Sequence, residues 1–454
     1  MIHVKKGCQM AYREFEDAAF SRRALLRGGA WLGAGAALAT VPAGRMAFAH
    51  GASSPTAWKN VAAMVNEYGS SGKVANMVAA MGWGQQDPEI ISKGTLAIGQ
   101  AAPAGIDSLY RIYSMTKPIT GMATMMLIDE GKLGLDQPLA EILPAFANMK
   151  VQKIADGSIE DVVPADRPIT IRHLLTHTSG LGYGIIQKGP IKDAYEKLGL
   201  IPGQVSRLPI PGLGRGVPVS SLAAFADGIA TLPLVYQPGT TWSYSVSLDL
   251  LGRVIEVVSG MPFDEFLATN IFKPAGMDST WFQVPDSEIG RLTANYGVMG
   301  GAVIPIDPAN ASVYTLKPAF PFGGAGLVSS PRDYDRFLRM LLGYGKIDGK
   351  RVLGELAVRV GTSNLLPDAV DTSGTFADKA GFGAGGRVGL GDQAGTYGWG
   401  GAAGTVALVN MKMGLRASLF TQYMPSEAYP VHGAFPVAVL ADLGSMAAAR
   451  QSAK

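Results

Sequence analysis

The stretch Ile119-Thr-Gly-Met-Ala-Thr-Met-Met-Leu-Ile128 is apolar on nearly every side of a helical wheel. A helix of that kind must be buried on all faces, so the chain has to build a core around it. The spacing predicts a helix from Ser114 to about Glu130, with Gly131 as a favoured C-cap. Met122, Met125 and Met126 then read as packing residues. The composition permits such a core: 454 residues, 47% hydrophobic and only 17% charged, far from a disordered chain. That length corresponds to two or three domains, or to one large enzyme fold with an inserted lobe. Fifty-nine glycines and 28 prolines favour a loop-rich enzyme over a helical bundle.

Around the central helix the pattern alternates. Residues 57–68 have helical spacing (Trp58, Val61, Met64, Val65). Apolar segments at 74–83 and 95–99, with a polar turn at 85–88, predict a hairpin. Residues 178–234 are punctuated by Gly and Pro, with short helical pieces such as 220–229, and read as an inserted lobe. Near the C-terminus, 405–412 and 416–423 are apolar runs separated by Met413-Gly414-Leu415, a second hairpin signal. A final helix is expected over 435–448. Strands at both ends with helices between them indicate one α/β lobe interrupted by a mostly helical one. Gly381-Phe-Gly-Ala-Gly-Gly386 has the spacing of a dinucleotide-binding loop, but no apolar strand precedes it and no helix follows, so a mobile loop is expected.

The first residues read as an export signal. Arg22-Arg23 precede an uncharged stretch over 28–44, and Ala47-Phe48-Ala49 offers small residues for a signal peptidase. Twin arginines direct folded proteins across the bacterial inner membrane, and the apolar stretch is shorter than the roughly 20 residues of a spanning helix. Residues 1–49 are therefore expected to be removed, leaving 50–454 as a periplasmic or secreted product; translation starting at Met10 would give a more usual signal. No later stretch reads as a membrane span. The single cysteine, Cys8, lies in the presequence, which excludes disulfides, a catalytic cysteine and Cys-ligated metal from the mature protein. A net charge of +3 without Lys/Arg runs disfavours a nucleic-acid partner.

Chemistry concentrates at Tyr113-Ser114-Met115-Thr116-Lys117-Pro118. Positions i and i+3 share a helix face, so Lys117 can reach the Ser114 hydroxyl. A serine hydroxyl is a weak nucleophile until a base takes its proton, and a desolvated lysine can be that base. The N–H groups at a helix N-terminus would favour an oxyanion forming there. Alone, Ser-x-x-Lys also describes a capping serine followed by a solvated lysine. Rival sites are poorer. His173 and His177 have an i, i+4 spacing but lack a third ligand, so no metal is expected; histidines are too few for a Ser-His-Asp triad, and Gly-x-Ser-x-Gly is absent.

The context of Ser114 resembles the serine β-lactamase and penicillin-binding-protein superfamily, specifically its class C β-lactamase-like branch with the family VIII carboxylesterases. Stretches similar to that branch follow in order: Gly131-Lys-Leu-Gly-Leu-Asp136-Gln-Pro138, Ile169-Thr-Ile-Arg-His173-Leu-Leu-Thr-His177-Thr-Ser-Gly180, Tyr236-Gln-Pro238-Gly239-Thr-Thr-Trp242-Ser-Tyr244-Ser245, Gly323-Gly-Ala-Gly326 and Tyr397-Gly398-Trp399-Gly400-Gly401. The resemblance implies an α/β (α+β) fold with an antiparallel sheet flanked by helices and an inserted, mostly helical lobe. The α/β lobe would take about 50–110 and 300–454, and the helical lobe about 111–299. It implies Tyr244 as a second base shared with Lys117. It also implies an oxyanion hole from the N–H groups of Ser114 and Ala402, beside Trp399, Gly400 and Gly401. Val246 stands where the family often has asparagine, and Trp399 where β-lactamases have lysine. Losing a lysine that would pair with a lactam carboxylate moves the expected substrate toward esters of small or short acyl chains, without cofactor or metal. A β-lactamase or D-amino-acid peptidase, and a non-catalytic penicillin- or acyl-binding protein, are the alternatives.

Overall fold

A seven-stranded antiparallel sheet forms the backbone of the computed structural model, which describes residues 57–208 and 216–452. The expected export segment and Cys8 lie outside the described residues. In chain order the main elements are α1 (Lys59–Ser70), β1 (Asn76–Trp83), β2 (Glu89–Gly94), α2 (Thr116–Asp129), α3 (Leu222–Ala230), α4 (Ser247–Ser259) and α5 (Pro331–Leu342). They continue with β3 (Gly381–Phe382), β4 (Arg387–Val388), β5 (Thr396–Gly400), β6 (Val406–Asn410), β7 (Leu415–Phe420) and α6 (Val431–Ser452). The sheet order is β3-β4-β5-β6-β7-β1-β2, so strands from the two ends of the chain meet where β7 pairs with β1.

Both faces of the sheet are covered, which explains why its central strands read as continuous apolar runs. Met77, Ala79 and Met81 of β1 and Leu415, Ala417 and Leu419 of β7 point to one side, against Val61 and Val65 of α1 and Phe435 and Val439 of α6. Val78 and Phe420 point to the other, into the main core with α2, α4 and α5. Arg416 shares that second face; its buried guanidinium pairs with Asp335 of α5 at 2.6 Å. The 22-residue α6 is long and apolar enough to cross a membrane by length and composition, although no such stretch was expected after the signal. In this fold it lies along the sheet, and its buried Asp442 accepts the N–H groups of Asn60 and Val61, capping α1 from outside.

The antiparallel sheet flanked by helices agrees with the expected fold class, but several element boundaries differ. The partner of β1 is Glu89–Gly94, not 95–99. Gly94 has φ 97°, and a Cβ there would sit 2.2 Å from the Ala75 carbonyl oxygen, so the chain turns away at that point. The half-exposed edge strand 89–94 lacked the apolar run that marks 74–83. The helix expected from Ser114 begins at Thr116, after a 3-10 turn at Tyr113–Met115; from Thr116 to Leu127 it is buried throughout. The C-terminal helix starts at Val431, ahead of the expected Phe435, and continues through Pro436, which lies inside it and lacks the N–H for one backbone bond. The glycine-rich 381–386 is not a mobile loop: it forms the β3–β4 hairpin at the sheet edge. Glycine there permits close approach, since a Cβ on Gly385 would lie 2.4 Å from the Lys117 carbonyl oxygen.

Candidate active site

The nucleophile turn is built on strained backbone. Tyr113 has φ 41°, a left-handed conformation that costs a bulky residue about 1–3 kcal/mol. It is held by Asn295, whose amide donates to the Tyr113 hydroxyl at 3.2 Å, and by an edge-on ring contact with Tyr314 at 6.2 Å. Upstream, buried Arg111 anchors the same segment: it donates to Asp307 Oδ2 at 2.6 Å and to Ser312 Oγ at 3.0 Å. Ser114 is thereby presented at the start of α2 with part of its surface open, while Lys117 is wholly buried.

Ser114, Lys117 and Tyr244 meet. Lys117 Nζ donates to Ser114 Oγ at 3.3 Å, and Tyr244 Oη donates to the same Oγ at 2.8 Å. Lys117 Nζ also lies 4.5 Å from the centre of the Tyr244 ring, where the face of the π system attracts a cation. Trp399 Nε1 donates to Tyr244 Oη at 3.4 Å, so the tyrosine oxygen lies between the Ser114 hydroxyl and an indole donor. Trp399 comes from β5, and its indole packs 5.8 Å from the Tyr244 ring. Phe376 closes over both, with ring centres 5.7 Å from Tyr244 and 6.1 Å from Trp399.

Gly401 brings the end of β5 against the nucleophile turn: a Cβ there would lie 2.3 Å from the Ile112 carbonyl oxygen. Its own N–H is committed to the Thr405 carbonyl at 2.7 Å. Ala402, next along the chain, packs against the apolar cluster that contains Tyr113. Gly400 has less restricted surroundings; a Cβ would meet His432 Nε2 at 3.3 Å. Val246, at the position where asparagine was noted as missing, is wholly buried at the start of α4.

Sequence reasoning missed the support of Lys117. Gly324 joins it to a buried carboxyl: its carbonyl accepts from Lys117 Nζ at 2.6 Å, and its N–H donates to Asp249 Oδ1 at 2.7 Å. A Cβ on Gly324 would lie 2.5 Å from Asp249 Oδ2, so this peptide admits only glycine. Burial pushes the Asp249 carboxyl up to about 7, opposed by the nearby Lys117 charge and the Gly324 N–H. The available signal was Asp249 as the lone acid in the apolar run 246–252. The two histidines weighed as metal ligands have other tasks. His173 Nδ1 accepts the Thr170 N–H at 3.2 Å in a capping box, and His177 Nδ1 is bonded to Ser245.

A β-lactamase family model matches residues 32–441. A Mycobacterium tuberculosis protein designated Rv1367c is 36% identical over 306 residues, covering 67% of this chain and 72% of its own. Esterase EstB of Burkholderia gladioli is 29% identical over 348 residues, 70% of this chain and 78% of that enzyme. Among solved structures, EstCE1, described as a hydrolase with promiscuous acyltransferase activity, superposes with a TM-score of 0.66 at 24% identity, over 84% of this chain and 98% of that one; this likeness concerns the fold. The family match and the esterase relatives support a serine-hydrolase, esterase-type activity. By the extent of the family match, the chain belongs to the serine β-lactamase superfamily.

Proposed function

We propose that this protein is a carboxylesterase acting on esters of small or short acyl chains through an acyl-Ser114 intermediate. The observation that carries the reading is the convergence of Tyr244 Oη and Lys117 Nζ on Ser114 Oγ, at 2.8 and 3.3 Å. In the forward step the Tyr244–Lys117 pair starts one proton short, as phenolate–ammonium or phenol–amine; Ser114 Oγ attacks the ester carbonyl carbon, and its proton passes to the pair. The backbone N–H groups of Ser114 and Ala402 are assigned to the carbonyl oxygen as it gains charge. When the tetrahedral intermediate collapses, the carbon–oxygen bond to the alcohol breaks and the same proton goes to the leaving oxygen. Water then repeats the cycle: its proton goes to the pair, its oxygen to the acyl carbon, and the proton returns to Ser114 as the acid leaves. No cofactor is required by this sequence.

Trp399 supports an ester over a β-lactam. The strand position that would carry a lysine for a substrate carboxylate instead gives an indole engaged with Tyr244. Together with Phe376 and Trp242, 6.1 Å from the Tyr244 ring, it makes an aromatic surround with an uncharged character suited to a short acyl group. Steady-state assays with p-nitrophenyl acetate, butyrate and octanoate beside nitrocefin test this. The expected kcat/KM is highest for acetate or butyrate, and nitrocefin is expected to be turned over with a kcat/KM about 100-fold or more lower, a gap of about 2.7 kcal/mol in transition-state binding. Nitrocefin turnover equal to or above the esters would assign a β-lactamase instead, and a stoichiometric burst without turnover of any ester would assign an acyl-binding protein.

A further inference from the structure

We infer that His177 is the positioning residue for Tyr244: it fixes the chain on both sides of the tyrosine and holds Oη on Ser114. The inference rests on Tyr244 being the proton-transfer residue proposed above. The carbonyl of His177 accepts the N–H of Ser243 at 2.9 Å, and its Nδ1 accepts the N–H of Ser245 at 3.2 Å. One residue therefore pins the backbone N–H groups of the residues immediately before and after Tyr244. The imidazole packs against the tyrosine ring as well, centre to centre 4.7 Å. Its far side meets Trp242 and Phe382 edge-on at 5.6 and 5.5 Å. The grip extends beyond the pair, because Ser245 Oγ is 3.0 Å from Nδ1 and 2.8 Å from Ser247 Oγ, which in turn bonds Ser179 Oγ at 2.8 Å.

This arrangement needs a neutral ring in one tautomer. Nδ1 accepts from a backbone N–H, so the network assigns the ring proton to Nε2, which has no hydrogen-bond partner among the described residues. His177 is wholly buried, and burial together with the Lys117 charge holds its pKa well below the usual histidine value. The backbone supplies the remaining constraint: φ is 57°, a left-handed conformation that glycine adopts freely and asparagine tolerates. Those two residues separate the acceptor from the backbone conformation. Glycine keeps the turn and the carbonyl but has no Nδ1; asparagine keeps the turn and offers Oδ1.

The test compares His177→Gly, His177→Asn and Tyr244→Phe with the wild type, reading kcat and KM for p-nitrophenyl butyrate on protein whose folding is checked by circular dichroism. A misplacement of about 1 Å at a reacting group costs on the order of 100-fold in rate, so kcat of H177G is expected to fall about 100-fold with KM within about threefold. H177N is expected to recover to within about tenfold of wild type. Folded H177G with at least half the wild-type kcat overturns the inference, as does folded H177N no better than H177G. Should H177G not be recovered folded, H177N decides alone: a kcat within tenfold supports the inference and a 100-fold loss overturns it. Y244F separates this from the underlying reading. If Y244F keeps full activity, the tyrosine's role and the inference both fall; if only Y244F is impaired, the inference alone falls.

Discussion

Replacing Lys117 with methionine is expected to lower kcat/KM for a short-chain ester by about 10²–10⁴-fold, the range for removing a positioned proton-transfer group. Lys117 is wholly buried, reaches both Ser114 Oγ and the Gly324 carbonyl, and faces the Tyr244 ring. Methionine fills the space but supplies neither charge nor N–H. Arginine is expected to fare no better, because its planar fork does not fit a site shaped for one compact nitrogen between two oxygens. The loss is expected mainly in kcat, since Lys117 is assigned to proton movement and to none of the acyl pocket. A second effect follows at Asp249. The Lys117 charge is the largest influence opposing burial at that carboxyl, so in Lys117→Met it is expected to titrate above about 7. Steady-state kinetics over a pH series check both points; a variant keeping a tenth of wild-type kcat/KM contradicts the assignment.

The second large effect concerns stability. Asp307→Ala is expected to cost about 3–5 kcal/mol, because removing one partner of a buried ion pair leaves the other charge uncompensated. Arg111 and Asp307 are both wholly buried, and the carboxylate also accepts from Ser312 Oγ at 2.6 Å and the Val313 N–H at 2.9 Å. Arg111 in turn donates to the Thr293 carbonyl at 2.5 Å and to the Asp307 carbonyl at 3.0 Å. The alanine variant loses the carboxylate's bonds to Arg111, Ser312 and Val313, in a network centred three residues before the nucleophile. Denaturant unfolding followed by fluorescence reads the result as a lower midpoint with an unchanged slope. The double variant Arg111→Met/Asp307→Leu is expected to recover most of the lost stability, since an apolar pair of similar volume leaves no charge stranded. A cost below about 1 kcal/mol for Asp307→Ala would show that water reaches the guanidinium.

Local patterns made part of this molecule legible. The all-round apolar helix 119–128, the hairpin turn at 413–415 and the short helical piece 220–229 all declare themselves within a few residues. Ser114, Lys117, Tyr244 and Trp399 were reached through short motifs in a characteristic order, and the structure brings these four together. What stayed hidden depends on partners distant in sequence. Asp249 matters because Gly324, 75 positions later, folds against it; nothing near Asp249 announces that contact. His177 sat in view as half of a metal-like pair, yet its task becomes visible only when Ser245, 68 positions on, lies against its ring. The edge strand 89–94 and the hairpin 381–388 escaped for a related reason: half-exposed or glycine-rich strands carry little apolar periodicity, and their pairing is decided by the sheet they join.

The central claim is that Ser114 carries the acyl group, and covalent labelling tests it most directly. Wild type and Ser114→Ala would be treated with a fluorophosphonate and, separately, quenched in acid during turnover of p-nitrophenyl butyrate, with intact mass and peptide mapping as the readout. The account predicts a single adduct on the peptide containing Tyr113-Ser114-Met115 in the wild type under both treatments, and none in Ser114→Ala, whose esterase rate falls to background. An adduct on another residue, or full ester turnover by Ser114→Ala, would contradict it.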